Sequence, residues 1–549
     1  MNSLIVPILV PFFTALVLTL LQGRGTAQKA VSFVSAFGLT IYVFWLMLYV
    51  DTHGIQAVVM GGWAAPWGIP FVADRLACIM LCLSMSVGTV ALVFTFSTVT
   101  DTQQKHFFYP FLQVVLLGVN WAFLSGDLFN LFVAYEVMLL GSYGMMMVGA
   151  SKPQLRETLK YIAINSVGST LFVSACGFIY ATVGTLNMAD LTARTAELSG
   201  PQASMVTAAT MVLLVVFAVK AAAFPLFFWL PDAYPIVPPG MNGYYAGLLT
   251  KVGVYSLLRM FVMVFNQPGA AFALDVILVL SGFTMLLGVM GAMCQWEIRR
   301  ILSWHIISQV GYMLMGIGMA GIVIAGSPDL TEAVKMMAIS GTIFYIVHHI
   351  IVKSCLFLCG GIAERVTGTQ KLKEMGGAID LAPGVAGLFL VAAFSLAGMP
   401  PFSGFLAKFV LIRAGLNGGA YFIVFISIVT SFLTLYSMSK IWSYAFWRKK
   451  CRDKAGPNYR AMMLPTSVLV LFTIVLGMWA QPFVSLGNRA AHELMYPMEE
   501  GGYVPTVMNI EAAPRDLEHE NSRERHSDIR EPSGHPSGDT TSQRIEMGQ

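Results

Sequence analysis

The stretch Gly126-Asp-Leu-Phe-Asn-Leu-Phe-Val-Ala-Tyr-Glu136 places a carboxyl group inside a segment that stays apolar as far as Gly149. Glu136 follows Asp127 by nine residues. At about 1.5 Å per residue, this distance is roughly 13 Å along a helix. If the helix spans a membrane, Glu136 lies near its middle, where a charge costs about 2.5–3.5 kcal/mol on insertion scales. The stretch therefore predicts a transmembrane helix that carries a functional charge.

The composition indicates a chain that lies in lipid. Of its 549 residues, 56% are hydrophobic and 11% are charged, whereas soluble domains carry about 25% charged residues. The mean hydropathy is +0.70. The net charge of +4 is small, and no basic aromatic patch typical of nucleic-acid binding is present. The seven cysteines lack partners at metal-ligand spacing, and no glycine-rich phosphate loop follows a strand, so no metal and no cofactor is expected.

Apolar runs of about 20 residues, the length that spans hydrocarbon, recur along the chain. They predict an all-α integral membrane protein with about 14 transmembrane helices. The predicted helices cover residues 3–21, 30–50, 73–99, 107–124, 128–149, 159–183, 205–230, 240–265, 271–293, 298–324, 333–363, 381–411, 420–446 and 462–482. The predicted regions are helices 1 to 3 (1–105), a core of helices 4 to 13 (106–446), a basic loop with helix 14 (447–483) and a mostly disordered polar tail (484–549).

Lysine and arginine are concentrated in the loops that follow odd-numbered helices. Lys152 and Arg156 follow helix 5, Arg299 and Arg300 follow helix 9, and a basic run at 448–460 follows helix 13. Because basic loops stay in the cytoplasm, both termini are expected outside it. After about residue 504 the chain is polar and mixed in charge, so it cannot bury enough apolar surface to offset its ordering entropy.

Four lysines also lie inside predicted helices: Lys220, Lys251, Lys353 and Lys408. A single lysine of this kind is explained equally well by snorkelling or by a bond that only holds helices together. Five ionisable groups on five helices each add their own insertion cost, and this favours a function for the set.

Histidines accompany these lysines. His349 precedes Lys353 by four residues and shares its helix face. An imidazole titrates near neutral pH, so His349 is a candidate proton relay. His348 and His305 are weaker candidates, because a lone membrane histidine is more often a packing residue that makes a hydrogen bond.

Two predicted helices contain breaks. Pro225 follows Lys220 in helix 7, and Gly398-Met-Pro-Pro401 precedes Lys408 in helix 12. Proline removes a backbone hydrogen bond, and in hydrocarbon the freed carbonyl groups must face water or polar side chains. Breaks at matching places in two halves are typical of inverted-repeat transporters, although the two halves match poorly here residue by residue.

The motifs around these residues resemble the proton-antiporter-like family, which includes the Mrp antiporter subunits and the large membrane subunits of respiratory complex I. The resemblance covers about residues 1–480 and rests on 126–138, 155–161, Lys220 with its Phe-Pro-Leu, 245–251, His349 with Lys353, and 400–408. Gly-Thr-Leu-Asn-Met-Ala-Asp at 184–190, with Leu-Phe-Asn-Leu-Phe-Val before Glu136, looks most like the D-type Mrp subunits.

This resemblance implies two inverted five-helix repeats, helices 4–8 and 9–13, with helices 7 and 12 broken. It implies that Glu136 and Lys220 form a coupling pair, and that Lys251, His349 and Lys353 connect this pair to Lys408. It also implies other Mrp subunits as partners in a bacterial cell membrane.

Three functions compete on the sequence alone. The first is a subunit that exchanges cytoplasmic Na⁺ or K⁺ for external protons. The second is a non-redox, proton-pumping subunit of a respiratory NADH:quinone oxidoreductase or a membrane-bound hydrogenase, which uses the same kind of relay. The third, a structural scaffold, is disfavoured by the buried charges. The Mrp-like motifs favour the first, and the sequence leaves the cation and its path open.

Overall fold

The computed structural model describes residues 2–265, 271–453, 455–456 and 458–510. Most of these residues are helical, because a helix satisfies its backbone hydrogen bonds internally, as hydrocarbon requires. In the described part, twelve helices are long and apolar enough to cross a membrane. The chain is therefore a multi-pass membrane protein.

The helices of the first half are α1 (Val6–Leu20), α2 (Gly25–His53), α3 (Arg75–Thr95), α4 (Asp101–Lys105), α5 (Phe108–Leu124), α6 (Leu128–Met147), α7 (Lys152–Val183), α8 (Met188–Glu197), α9 (Gly200–Ala221), α10 (Leu230–Ala233), α11 (Pro239–Tyr244) and α12 (Thr250–Leu258). Those of the second half are α13 (Ala271–Cys294), α14 (Ile298–Met319), α15 (Pro328–Thr367), α16 (Ala378–Leu381), α17 (Pro383–Ala397), α18 (Ser403–Asn417), α19 (Tyr421–Ile441), α20 (Tyr459–Met478), α21 (Gln481–Met495) and α22 (Tyr503–Met508). Wider π-helical turns continue α11, α12 and α19, at Tyr245–Leu249, Arg259–Val264 and Trp442–Trp447. Strands β1 (Gln56–Met60) and β2 (Ile69–Ala73) form an antiparallel hairpin.

The apolar segments predicted from the sequence all appear as helices, and in the described part of the chain two apolar helices of 10–17 residues lie beside the twelve long ones. These are α5, with 17 residues, and α17, with 15 residues. The prediction of 14 helices and the prediction of inverted repeats therefore stay predictions.

Both predicted helix breaks are present. Helix α9 ends at Ala221, after which Ala222 takes a left-handed conformation with φ of 57°. Helix α17 ends at Ala397, where Gly398 has φ of +90°, and α18 begins at Ser403. A left-handed residue is a common way to end a helix, and glycine adopts it without a steric penalty. The first break lies within one turn of Lys220, and the second directly precedes the helix that carries Lys408.

The structure differs from the prediction over residues 484–510, which were assigned to a disordered tail. They form most of α21 and all of α22. The buried residues of α21 are small or apolar and recur every three or four positions, so this helix packs one face against α3 and α15. Tyr503 and Val504 are also buried. The predicted disorder beyond residue 510 lies outside the described residues.

Helix α15 lies at the centre of the bundle. It contacts α3, α14, α17, α18, α20 and α21. Its middle is buried on all sides, as the side chains of His348, His349 and Lys353 show. The predicted relay residues on α15 are therefore buried inside the bundle.

Candidate functional site

Glu136 projects from the third turn of α6. The helix begins at Leu128 because the Asp127 carboxylate accepts a hydrogen bond from the Asn130 amide at 2.8 Å, as an N-cap does. The Ser169 hydroxyl of α7 donates to Glu136 Oε1. The sequence predicted a buried position for Glu136, but the residue is half-buried, because one face of α6 is left uncovered in the single chain.

Lys220 lies in the last turn of α9 and is 4% exposed. Its Nζ donates to Asn165 Oδ1 at 3.0 Å and lies 5.8 Å from the centre of the Tyr135 ring. The ammonium group is thus held by an amide and an aromatic face, both neutral.

Helix α7 connects the two members of the predicted coupling pair. Asn165, which binds Lys220, and Ser169, which binds Glu136, are four residues apart and lie on one face of α7. In the described part of the chain, no ion pair of 4.0 Å or less joins Glu136 to Lys220. Sequence reasoning missed Asn165 and Ser169. Their spacing of four residues in an apolar helix is the signal that could have found them.

Lys251 is fully buried in α12. Its Nζ donates to the Ala246 carbonyl at 2.8 Å and to Thr250 Oγ1 at 3.0 Å. Ala246 belongs to the π-helical turn before α12, where the wider turn changes the ordinary pairing of carbonyl groups. The distorted turn supplies an oxygen to the lysine.

His349 and Lys353 share one face of α15. Lys353 Nζ donates to the Leu302 carbonyl at 3.1 Å. His349 lies within electrostatic range of Lys251 and Lys353, and neither of its ring nitrogens has a hydrogen-bond partner among the described residues. Since buried polar groups are nearly always satisfied, the imidazole marks a place suited to water.

The two weaker candidates hold serine hydroxyl groups. His348 Nδ1 lies 2.8 Å from Ser403 Oγ, at the start of α18. His305 Nε2 lies 2.9 Å from Ser437 Oγ on α19. The second ring nitrogen of each has no partner in the described part of the chain. His348 thus links α15 to α18, directly after the second break, and His305 links α14 to α19.

Lys408 lies one turn inside α18, and its Nζ donates to the carbonyl groups of Leu396 and Ala397 at 3.1 and 3.0 Å. These carbonyl groups are available because α17 ends there. The Tyr312 ring lies 5.1 Å from the same nitrogen. A cavity of about 270 Å³ opens beside Lys408.

The four lysines share one electrostatic feature. Each ammonium group binds neutral oxygens, and within the described residues none makes an ion pair. The described residues also hold no group of three metal-ligating side chains. Because no carboxylate fixes these charges, each lysine can change its protonation state without breaking an ion pair.

The fold and the lysine set together define a class of polytopic membrane protein with buried ionisable groups along broken helices. The profile of the family described as "NADH:quinone oxidoreductase/Mrp antiporter, TM" matches residues 125–434, and the chain belongs to this family.

Two similar proteins indicate which branch of the family this chain resembles. The D subunit of the Na⁺/H⁺ antiporter of Alkalihalophilus pseudofirmus is 43% identical over 499 residues, which are 90% of this chain and 98% of that one. A chain in the structure of the Mrp complex from a Dietzia species superposes with a TM-score of 0.82 at 30% identity, over 92% of this chain and 99% of that one. A chain of an archaeal membrane-bound sulfane sulfur reductase has the same TM-score at 21% identity, over 93% of this chain and 100% of that one, which shows the shared fold.

Proposed function

We propose that this chain is a subunit of a multi-subunit monovalent cation/proton antiporter, and that it conducts protons through a relay of buried side chains. The relay residues are Glu136, Lys220, Lys251, His349, Lys353 and Lys408. The observation that carries the proposal is the set of lysines bound only to neutral oxygens. Three of them, Lys220, Lys251 and Lys408, lie beside a helix break or a widened turn.

The first step of the relay depends on α7. When Glu136 is ionised, its charge favours the protonated form of Lys220, and loss of that charge favours proton release. Asn165 and Ser169 hold the two groups one helical turn apart on a common face. A rotation or shift of α7 would therefore change both contacts together.

The remaining steps need water between fixed side chains. Lys251, His349 and Lys353 lie within electrostatic range of one another in the middle of the bundle. The unpartnered nitrogens of His349 can donate a proton on one side and accept one on the other. The carbonyl groups at the second break hold the proton-carrying form of Lys408 at the far end.

The names of the similar proteins indicate the partner subunits and the transported cation. The similar D-type protein is named as a component of an Na⁺/H⁺ antiporter, and the similar solved chain belongs to an Mrp complex. We therefore propose that this chain assembles with other Mrp subunits and that the complex exchanges cytoplasmic Na⁺ or K⁺ for external protons. With no cluster of metal-ligating side chains among the described residues, the cation path is assigned to a partner chain.

The competing function is proton pumping within a redox complex. The likeness to the sulfane sulfur reductase chain supports it only at the level of the fold. The identity of 43% to an antiporter component, over 98% of that protein, favours the antiporter.

The deciding experiment uses inverted vesicles from an antiporter-deficient host that expresses the whole operon. Vesicles are first acidified by respiration, and Na⁺ or K⁺ is then added while a pH dye reports the lumen. Cation-dependent alkalinisation, absent from vesicles with the empty vector, is the expected result. Proton pumping that requires an added electron donor and quinone and ignores the cations would overturn the proposal.

A further inference from the structure

A second cluster of charged side chains lies away from the lysine relay. Arg259, at the end of α12, is 2% exposed, and Asp74, at the start of α3, is 1% exposed. Both terminal guanidinium nitrogens of Arg259 bind the Asp74 carboxylate, and one of them also donates to the Tyr255 hydroxyl at 2.9 Å. The Tyr503 ring of α22 covers the guanidinium, 5.2 Å from its centre.

Glu493 of α21 joins this cluster to the surface. Its carboxylate accepts hydrogen bonds from the Arg75 amide at 3.0 Å and from the Arg75 guanidinium at 2.5 Å. Its side chain is 11% exposed. Arg75 also binds Asp51, which is 30% exposed and pairs with Arg489 at the rim. Glu493 thus stands between the buried pair and the outer surface.

Polar groups on α12 continue from the cluster toward the relay. Ser256 lies three residues before Arg259, about 4.5 Å along the helix. Its hydroxyl lies 3.0 Å from the hydroxyl of Tyr135, whose ring faces Lys220 and whose neighbour in sequence is Glu136. The Tyr255 hydroxyl donates to the Phe123 carbonyl in the same region. One side of α12 therefore carries polar groups from the membrane interior to the cluster.

The ion pairs of the cluster balance. The titratable and charged groups around Glu493 come from α2, α3, the end of α12, α21 and α22: Asp51, Asp74, Arg75, Tyr255, Arg259, Arg489 and Tyr503. Counting Glu493, three carboxyl groups pair with three guanidinium groups in the described part of the chain. Glu493 is the carboxyl group that binds Arg75 and also lies within electrostatic range of Asp74.

We infer that Glu493 is the proton-exchange residue at the extracytoplasmic mouth of the Lys220 half of the relay. Its carboxylate takes a proton from outer water, which loosens its bond to Arg75. It then gives the proton to water along the Tyr255–Ser256 side of α12, and the carboxylate binds Arg75 again. Arg259 and Asp74 act as positioning residues, because Arg259 is held by Asp74 and in turn binds the Tyr255 hydroxyl. The inference rests on the proposed antiporter function.

The titration of Glu493 is consistent with this role. Burial and the nearby Asp74 charge raise the pKa of Glu493 to about 7. Glu493 therefore gains its proton as the outer pH falls through neutrality, whereas a solvated carboxyl group would stay ionised over that range.

The test compares Glu493→Gln, Glu493→Asp and the control His492→Gln in the whole complex, reconstituted with one orientation. His492 is a titratable, half-exposed residue of the same helix that faces Glu499 instead of the cluster. Antiport is measured while the pH on the extracytoplasmic side varies over about 6 to 8, the range in which a neutral-pKa carboxyl group titrates. Co-purification of the partner subunits shows whether each variant assembles.

The expected result is that Glu493→Gln assembles, loses about 100-fold or more in rate and no longer responds to the outer pH, as removal of a proton-transfer group predicts. Glu493→Asp keeps part of the pH response, and His492→Gln matches the unaltered chain. A wild-type pH profile in Glu493→Gln would overturn the inference, while Glu136→Ala in the same preparation tests the proposed function separately. If Glu493→Gln fails to assemble while Glu493→Asp assembles normally, the pH profile of the aspartate variant decides. An unchanged pH profile in Glu493→Asp would contradict the exchange role.

Discussion

Helix α7 binds both Glu136 and Lys220 through its side chains. Ser169 binds the carboxylate, and Asn165 binds the ammonium group at 3.0 Å. In the proposed relay, each of the two charged residues has a role that a neutral substitute cannot fill.

We expect Glu136→Ala and Lys220→Ala each to abolish antiport while the protein still inserts and assembles. Each change removes a charge that the relay needs and leaves the helix packing nearly intact. Glu136→Asp should retain part of the activity, because it keeps the charge and loses only reach. Dye-based antiport assays at matched expression measure this, and substantial activity in either alanine variant contradicts the coupling-pair proposal.

Asn165 provides a finer test at the same scale. In Asn165→Leu the Lys220 ammonium loses its oxygen partner, and a buried group left unsatisfied costs about 1–3 kcal/mol. We expect the rate to fall by about tenfold or more, since about 1.4 kcal/mol is a factor of ten. The matched control is Ser166→Leu, a polar residue of α7 that is exposed on the surface of the chain. Equal effects of the two substitutions would refute a specific role for Asn165.

At the scale of helices, α9 and α12 approach closely beside Lys220. A Cβ atom built on Gly253 would lie 2.6 Å from the Ala221 amide nitrogen and 2.9 Å from the Lys220 carbonyl carbon. Backbone atoms cannot move aside as a flexible side chain can. Gly253 is therefore required to place Lys251 and Lys220 on facing helices.

We expect Gly253→Ala to push α9 and α12 apart and to lower both the thermal stability of the complex and its antiport rate. The control is Gly177→Ala on α7, where a built Cβ meets no atom within 4 Å. In that control the added methyl group favours the helix by about 1 kcal/mol. Melting curves followed by tryptophan fluorescence, together with the antiport assay, compare the two variants. A harmless Gly253→Ala would mean that the close approach is not needed.

Depth along an apolar run was enough to predict the burial of the four lysines and both helix breaks, because a lysine or a proline in an apolar run is conspicuous. Asn165 and Ser169 were missed since neutral polar residues are common in membrane helices and carry little insertion cost. The Glu493–Arg75 contact joins residues that are 418 positions apart, so no local pattern predicts it. Arg259, close to a helix end, is typical of a snorkelling residue until the fold brings Asp74 to it.

At the scale of the whole molecule, the last described segment is part of the bundle. Helices α21 and α22 cover Arg259 and Asp74 through Glu493 and Tyr503. Deletions that begin before residue 510 therefore remove parts of the packed bundle that the structure describes.

We expect deletion of Asp516–Gln549 to leave assembly and transport close to those of the full chain, since the sequence there predicts disorder. Deletion from Gln481 onward should abolish assembly, because it exposes the buried Arg259–Asp74 pair and an apolar face of α15. Co-purification of the partner subunits from membranes measures both. Protease added to the outer face of intact spheroplasts should also clip the tail, and cleavage seen only in inverted vesicles would show that the predicted orientation is wrong.

Helix α15 has 40 residues. At about 1.5 Å per residue it is roughly 60 Å long, about twice the thickness of the hydrocarbon core of a bilayer. It therefore tilts or protrudes, and its angle depends on how thick the surrounding lipid layer is. Since α15 carries His348, His349 and Lys353 and also touches α21, a change of tilt would shift the proposed relay residues together with the helix that carries Glu493. Reconstitution in lipids of graded acyl-chain length should show an optimum thickness for antiport, whereas equal rates in thin and thick bilayers would mean that α15 is held rigidly by its neighbours. An optimum thickness would show that the bilayer affects the proposed proton path through the position of α15.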